Sequence, residues 1–179
     1  PGAPPATFSF DAFVRLWLEI GECPVWTSAI AARRDTLLAT GGFPEGRCRR
    51  GGDKDLWLRL SHAGPVTIGT AATATYYKDS DNMVTTRRHV NECHCVVPTI
   101  DHWLPGAPPA GRALLRRLRN HETYLYALRT AKTDRLHYAS WRGFSARHDP
   151  LRFLMLAVMT SPFGPLLSRL ALRLRSVRG

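Results

Sequence analysis

Within six residues, Gly41-Gly42-Phe43-Pro44-Glu45-Gly46, the chain places three glycines and a proline. Glycine gains no side-chain packing and proline lacks a backbone donor, so this segment is a loop around which neighbouring elements must be arranged. A second pair, Gly51-Gly52, opens the stretch Asp53-Lys54-Asp55-Leu56-Trp57-Leu58-Arg59-Leu60, whose apolar positions recur with helical period. A carboxylate at a helix start accepts from unpaired backbone N–H groups, which makes Asp53 the expected cap. Asp55 and Arg59, four apart, pair along that helix. Cap, ion pair and Leu/Trp core face form a complete account without any chemistry. The same residues support a second reading, in which Asp53 is a general base at the mouth of a cleft and the glycines let a ligand approach the backbone.

The flanking segments are read by period and punctuation. Ser9 caps a helix running to about Ile20, with Phe13, Trp17 and Ile20 on one face. Pro24 to Ile30 reads as a short buried strand, and Arg34 to Thr40 as a short helix stopped by Gly41 and Gly42. Val66 to Tyr77, rich in Thr, Val, Ile and Tyr, reads as a strand.

Thr27-Ser28-Ala29-Ile30, Arg34-Asp35, Gly41-Gly42-Phe43-Pro44-Glu45 and Gly52-Asp53-Lys54-Asp55-Leu56-Trp57-Leu58-Arg59-Leu60 follow one another in an order and spacing that resembles the second half of a family 2 glycosyltransferase, over roughly Phe10 to His89. The resemblance implies an α/β fold, the acceptor-side, C-terminal part of a GT-A-like domain over residues 1–105, followed by a basic helical extension over 106–179. It implies inverting transfer of a sugar from a nucleotide-diphosphate donor to an acceptor hydroxyl. The family's catalytic base falls on Asp53, while Gly52 stands where the family usually has Glu. Trp26 and Thr27 fall on the segment lining the cleft near the acceptor, and Gly41 and Gly42 border the donor sugar. Asp55 and Trp57 fall on the substrate side of the same motif. Arg49, between Arg47 and Arg50, either reaches the donor diphosphate or belongs to a solvated loop. Asn82 and Arg88, with Arg87 and His89, either close over the nucleotide or flank a helix capped by Thr85.

The family holds a divalent cation, Mg²⁺ or Mn²⁺, on an Asp-x-Asp motif in the half that precedes this one. Asp53-Lys54-Asp55 and Asp79-Ser80-Asp81 have that spacing here, but the first is the base motif by its surroundings. The metal ligands are therefore expected outside this chain, which reads as a C-terminal fragment, inactive by itself.

The net charge of +11 is unevenly placed. Residues 1–105 carry eleven Lys/Arg and eleven Asp/Glu, whereas 106–179 carry fourteen against three. Such a split points to an anionic partner for the extension. Leu114, Leu118, Leu125 and Leu128 mark an amphipathic helix bearing Arg116, Arg117 and Arg119. The apolar run Leu151 to Met159 is about half the ~20 residues needed to cross a bilayer. With the cysteines read as reduced thiols the protein is expected in the cytoplasm, and the extension either rests on the inner face of the membrane or packs Leu114, Leu125 and Phe153 back on the main domain with its arginines in water. The rival reading is a non-catalytic basic module binding anionic membrane or nucleic acid. The neutral balance of the first 105 residues disfavours nucleic acid. The cysteines, Cys23, Cys48, Cys93 and Cys95, lack paired metal-site spacing and are read as reduced thiols, Cys93-His94-Cys95 included.

Overall fold

The computed structural model describes residues 4–46, 51–71, 74–75, 95–133, 135–162 and 164. They are mostly helical. Strand β1 (Ala6–Phe8) pairs antiparallel with β2 (Val66–Ile68), Thr7 lying opposite Thr67. Their hydroxyls are 3.0 Å apart. Of the strand expected from Val66 to Tyr77, Val66–Ile68 pairs with β1 and the chain at 69–71 has left the ladder, while residues 72–73 and 76–77 lie outside the described residues.

Helix α1 (Phe10–Ile20) begins as the sequence predicts, with Ser9 Oγ accepting the Ala12 N–H at 3.4 Å. Its buried residues are Phe13, Val14 and Trp17. Ile20, expected on that face, is exposed. It is the last helical residue, and Gly21, with φ 74°, turns the chain away immediately after it. Pro24 to Ile30 is not a strand. Thr27–Ala29 forms a 3₁₀ turn with exposed residues, and no described strand lies beside it to supply a ladder.

Helices α2 (Arg34–Ala39), α3 (Gly52–Ala63) and α4 (Val96–Trp103) follow, then the 25-residue α5 (Pro109–Thr133). A 3₁₀ turn at Tyr138–Trp141 leads to α6 (Pro150–Thr160), where Asp149 caps the first turn through the Arg152 N–H. The first core cluster joins Phe13, Val14 and Trp17 of α1 to Leu56 and Leu58 of α3, Val96 and Ile100 of α4, and Leu114, Leu115 and Leu118 of α5. A second cluster gathers Ala127, Leu136, Trp141, Phe144 and Leu156.

The expected division after Pro105 is therefore not a break in packing. Helix α5 buries Leu114 and Leu118 against the preceding helices, with Leu125 and Leu128 half-buried. Arg119, expected in a basic surface patch, is buried as well. It forks onto Asp101 of α4, Nε to Oδ1 at 2.6 Å and Nη2 to Oδ2 at 3.0 Å, and donates to the Arg142 carbonyl at 3.2 Å. Gly143 sits against that guanidinium with φ 79°, and a Cβ there would lie 2.8 Å from Nη2. Glycine is needed at that point for both reasons.

Cys23 is a buried free thiol, whereas Cys95 is disulfide-bonded. The latter departs from the reduced thiols expected, because pairing depends on which sulfurs the fold brings together and not on their spacing in the chain. Among the described residues, no helix is long and apolar enough to cross a membrane.

Two leucines separate the inward and outward helices. Leu118→Ala empties a fully buried position and is expected to cost about 2–5 kcal/mol. Leu154→Ala, at an exposed position of α6, is expected to change stability by no more than about 0.5 kcal/mol. Urea denaturation of both variants measures the contrast.

Candidate functional site

Helix α3 starts at Gly52, and the position before it is Gly51, held at φ 73° where a left-handed turn suits glycine. Asp53 is thus the second helical residue and not the cap expected from the sequence. It still does part of a cap's work: Oδ1 accepts the Lys54 N–H at 2.8 Å. Its other oxygen, Oδ2, accepts the Thr27 hydroxyl at 3.0 Å. A carboxylate oxygen has two lone-pair directions, so an exposed Asp53 held this way keeps acceptor capacity on both oxygens. The helix N-terminus adds a favourable field for negative charge at this position.

Thr27 and Asp53 are 26 residues apart and meet through the 3₁₀ turn. Trp26, next to Thr27, is 57% exposed. Phe43 of the glycine loop is also exposed and meets the Trp57 ring edge-on at 6.0 Å. Asp53 and Trp57 stand four apart on α3, hence on one face. Phe43 was not singled out from the sequence as a contact residue. The available signal was a large apolar side chain inside a glycine-rich loop, where little packing can cover it.

Asp55 lies two residues beyond Asp53, which on a helix turns it about 200° to the opposite side. It is 1% exposed. Its Oδ2 accepts from Arg59 Nε at 3.0 Å, and its Oδ1 accepts from the Thr99 hydroxyl. The expected Asp55–Arg59 pair is therefore present, and Asp55 is buried against the core. The two aspartates cannot converge on one ion from a helix. Trp57 is likewise buried, and its indole N–H has no hydrogen-bond partner among the described residues.

Arg59 also clips the glycine loop. It donates from Nη2 to the Gly42 carbonyl at 2.7 Å and from Nη1 to the Thr40 carbonyl. Gly41 and Gly42 take φ of 81° and 61°, and their N–H groups return to Leu38 and Leu37 of α2. They are helix-stop residues in the sense the sequence predicts. Space for a Cβ at Gly42 is open, so its backbone angle, and not crowding, calls for glycine. Arg49, Asn82 and Arg88 lie outside the described residues.

Behind Asp53 lies a charged junction that sequence reading missed. Lys54 Nζ binds Glu22 Oε1, stands 3.6 Å from Glu122 Oε2 and lies 5.9 Å from the Trp17 ring centre. Glu122 is buried, and its Oε1 accepts the Trp17 indole N–H at 2.9 Å. His121 Nε2–H donates to the Gly21 carbonyl at 3.1 Å. Burial pushes the Glu122 carboxyl above its ordinary range, although the Lys54 charge and the Trp17 bond oppose it. Burial also pushes His121 down and the Cys23 thiol up to about 12. At Glu22 burial acts upward, but the Lys54 bond and charge, with Arg129, hold it below the ordinary range. The pattern is invisible to spacing because its members come from α1, α3, α5 and the turn after α1. Among the described residues, no three His, Cys, Asp or Glu side chains form a group that could hold a metal.

Arg59→Ala leaves the Asp55 carboxylate buried without its cation and frees the loop carbonyls. The expected loss is about 3–5 kcal/mol, read by chemical denaturation. Glu122 predicts a pH dependence. Its raised pKa means the folded state favours the protonated form. The stability gained is full below the ordinary value of 4.5 and is lost as pH rises through the raised one. Glu122→Gln mimics the protonated form, so its stability relative to the parent is expected to increase across that window. A difference independent of pH would remove burial as the controlling influence.

No family model matches the chain, and neither a curated protein nor a solved structure matches it.

Proposed function

We propose that this chain is the acceptor-side part of an inverting glycosyltransferase, with Asp53 as the base. The observation that carries this reading is the hydrogen bond from Thr27 to Asp53. It joins two blocks of the sequence motif at an exposed carboxylate, beside an exposed tryptophan suited to the apolar face of a sugar.

In this reading an acceptor hydroxyl donates to the free lone pairs of Asp53. As its oxygen bonds to the anomeric carbon of the donor sugar, the proton passes to the carboxylate. The bond from that carbon to the diphosphate breaks, and its electron pair leaves with the diphosphate, inverting the centre. Thr27 and the Lys54 N–H hold the carboxylate in place while it changes charge. Gly41 and Gly42 keep side chains away from the donor sugar, and Arg59 fixes the loop that carries them. Asp55 acts through Arg59, as part of the support and not of the chemistry. The divalent cation, Mg²⁺ or Mn²⁺, that the resemblance implies does not fit the described residues. Its ligands belong elsewhere in this reading.

The test uses the full-length protein and a screen of nucleotide sugars. Asp53→Asn is expected to lower transfer by at least ~10²-fold, the usual scale for a general base. Thr27→Val is expected to cost less, since it removes an orienting bond only. Near-parental turnover by a folded Asp53→Asn protein would leave Asp53 as a helix-start residue and nothing more.

A further inference from the structure

Helix α6 has two apolar faces. Phe153 and Leu156 point inward, with the Phe153 ring 5.4 Å from Trp141 and Leu156 fully buried. Leu151, Leu154, Met155 and Val158 recur at helical spacing on the other side and are 69%, 60%, 41% and 41% exposed. Four large apolar side chains in one stripe are unusual on a surface that meets only water. The charge around them is one-sided. Of the three acidic residues after Gly106, Glu122 is buried and Asp149 pairs with Arg152 at 3.3 Å, while Asp134 lies outside the described residues.

Three arginines act on His148, the residue before the cap of α6. Asn120 of α5 exchanges two 2.9 Å bonds with the Ser145 backbone, and the Ser145 hydroxyl lies 2.8 Å from His148 Nδ1. His148 immediately precedes the cap of α6. Arg116 stands one helical turn before Asn120, and Arg117 is next to it. Partial burial and then the charges of Arg116, Arg147 and Arg117 hold His148 below the ordinary histidine range, so all three guanidiniums are within electrostatic reach of it.

We propose that the stripe of Leu151, Leu154, Met155 and Val158, with Arg116, Arg117 and Arg147 beside its start, rests on the surface of an anionic lipid bilayer. The leucines enter the interface and the guanidiniums meet lipid phosphates. A nucleic acid would satisfy the arginines but leave the leucines in water. With 11 residues, α6 is about 16 Å long against a hydrocarbon core of ~30 Å, so it lies on the bilayer and does not cross it. Among the described residues of the extension, the expected membrane contact falls on α6, since α5 spends its apolar face on the core. This inference rests on α6 and the arginines near its start, and it stands or falls apart from the role of Asp53.

The test is co-sedimentation of the intact chain with vesicles of phosphatidylcholine, alone or mixed with phosphatidylglycerol. Binding is expected only with the mixture and is expected to weaken as salt screens the charges. Leu151→Ser/Leu154→Ser, at exposed positions, is expected to lower affinity about tenfold or more. Arg116→Gln/Arg147→Gln is expected to lower it by about fivefold per charge removed. Equal binding to both vesicles, binding to neither, or leucine variants that bind like the parent would each overturn the proposal. So would retention on a short DNA or RNA duplex, unchanged by the leucine substitutions, in a protein that ignores vesicles.

Discussion

The buried carboxylate of Glu122 sets the terms for the helical packing. A carboxylate taken out of water must find partners or lose its charge, and both responses are present. It accepts the Trp17 indole N–H from α1 and draws Lys54 of α3 to within 3.6 Å, while burial raises its pKa. Three helices are thereby held in one relative position. Breaking any of these contacts leaves polar atoms in the core, so apolar packing by Phe13, Leu56 and Leu118 and polar pairing at Glu122 enforce the same arrangement.

That junction fixes the backbone from which Asp53 projects. Lys54, the next residue, is anchored below, and Arg59 anchors the other side of α3 to the glycine loop. The two aspartates of one short motif then take opposite roles through helical rotation alone. Asp53 faces outward to Thr27 and solvent, and Asp55 faces inward to Arg59 and Thr99. In the proposed reading, the rigid inner carboxylate supports the accessible outer one that takes the proton.

The excess positive charge divides in a similar way. Arg119 turns inward and is neutralised by Asp101, whereas Arg117 and Arg147 are exposed and Arg116 is half-buried. Net charge describes none of this, because a guanidinium in a fork with a carboxylate has little field left for a distant partner.

Local rules sufficed where the interaction spans one helical turn. Ser9 at the start of α1, Gly41 and Gly42 at the end of α2, and Asp55 with Arg59 all follow from spacing and residue type, since each contact closes within the chain's own turn. Composition suggests strands at Pro24 to Ile30 and from Val66 onward, yet Pro24 to Ile30 has no described partner strand and the β1 ladder ends at Ile68, because a strand exists only where another supplies its hydrogen bonds. The meeting of Thr27 with Asp53, the burial of α5, the Glu122 junction and the exposure of α6 were likewise beyond local reading. Each depends on residues tens of positions apart, and only tertiary packing decides which side of a helix finds a neighbour and which is left facing out.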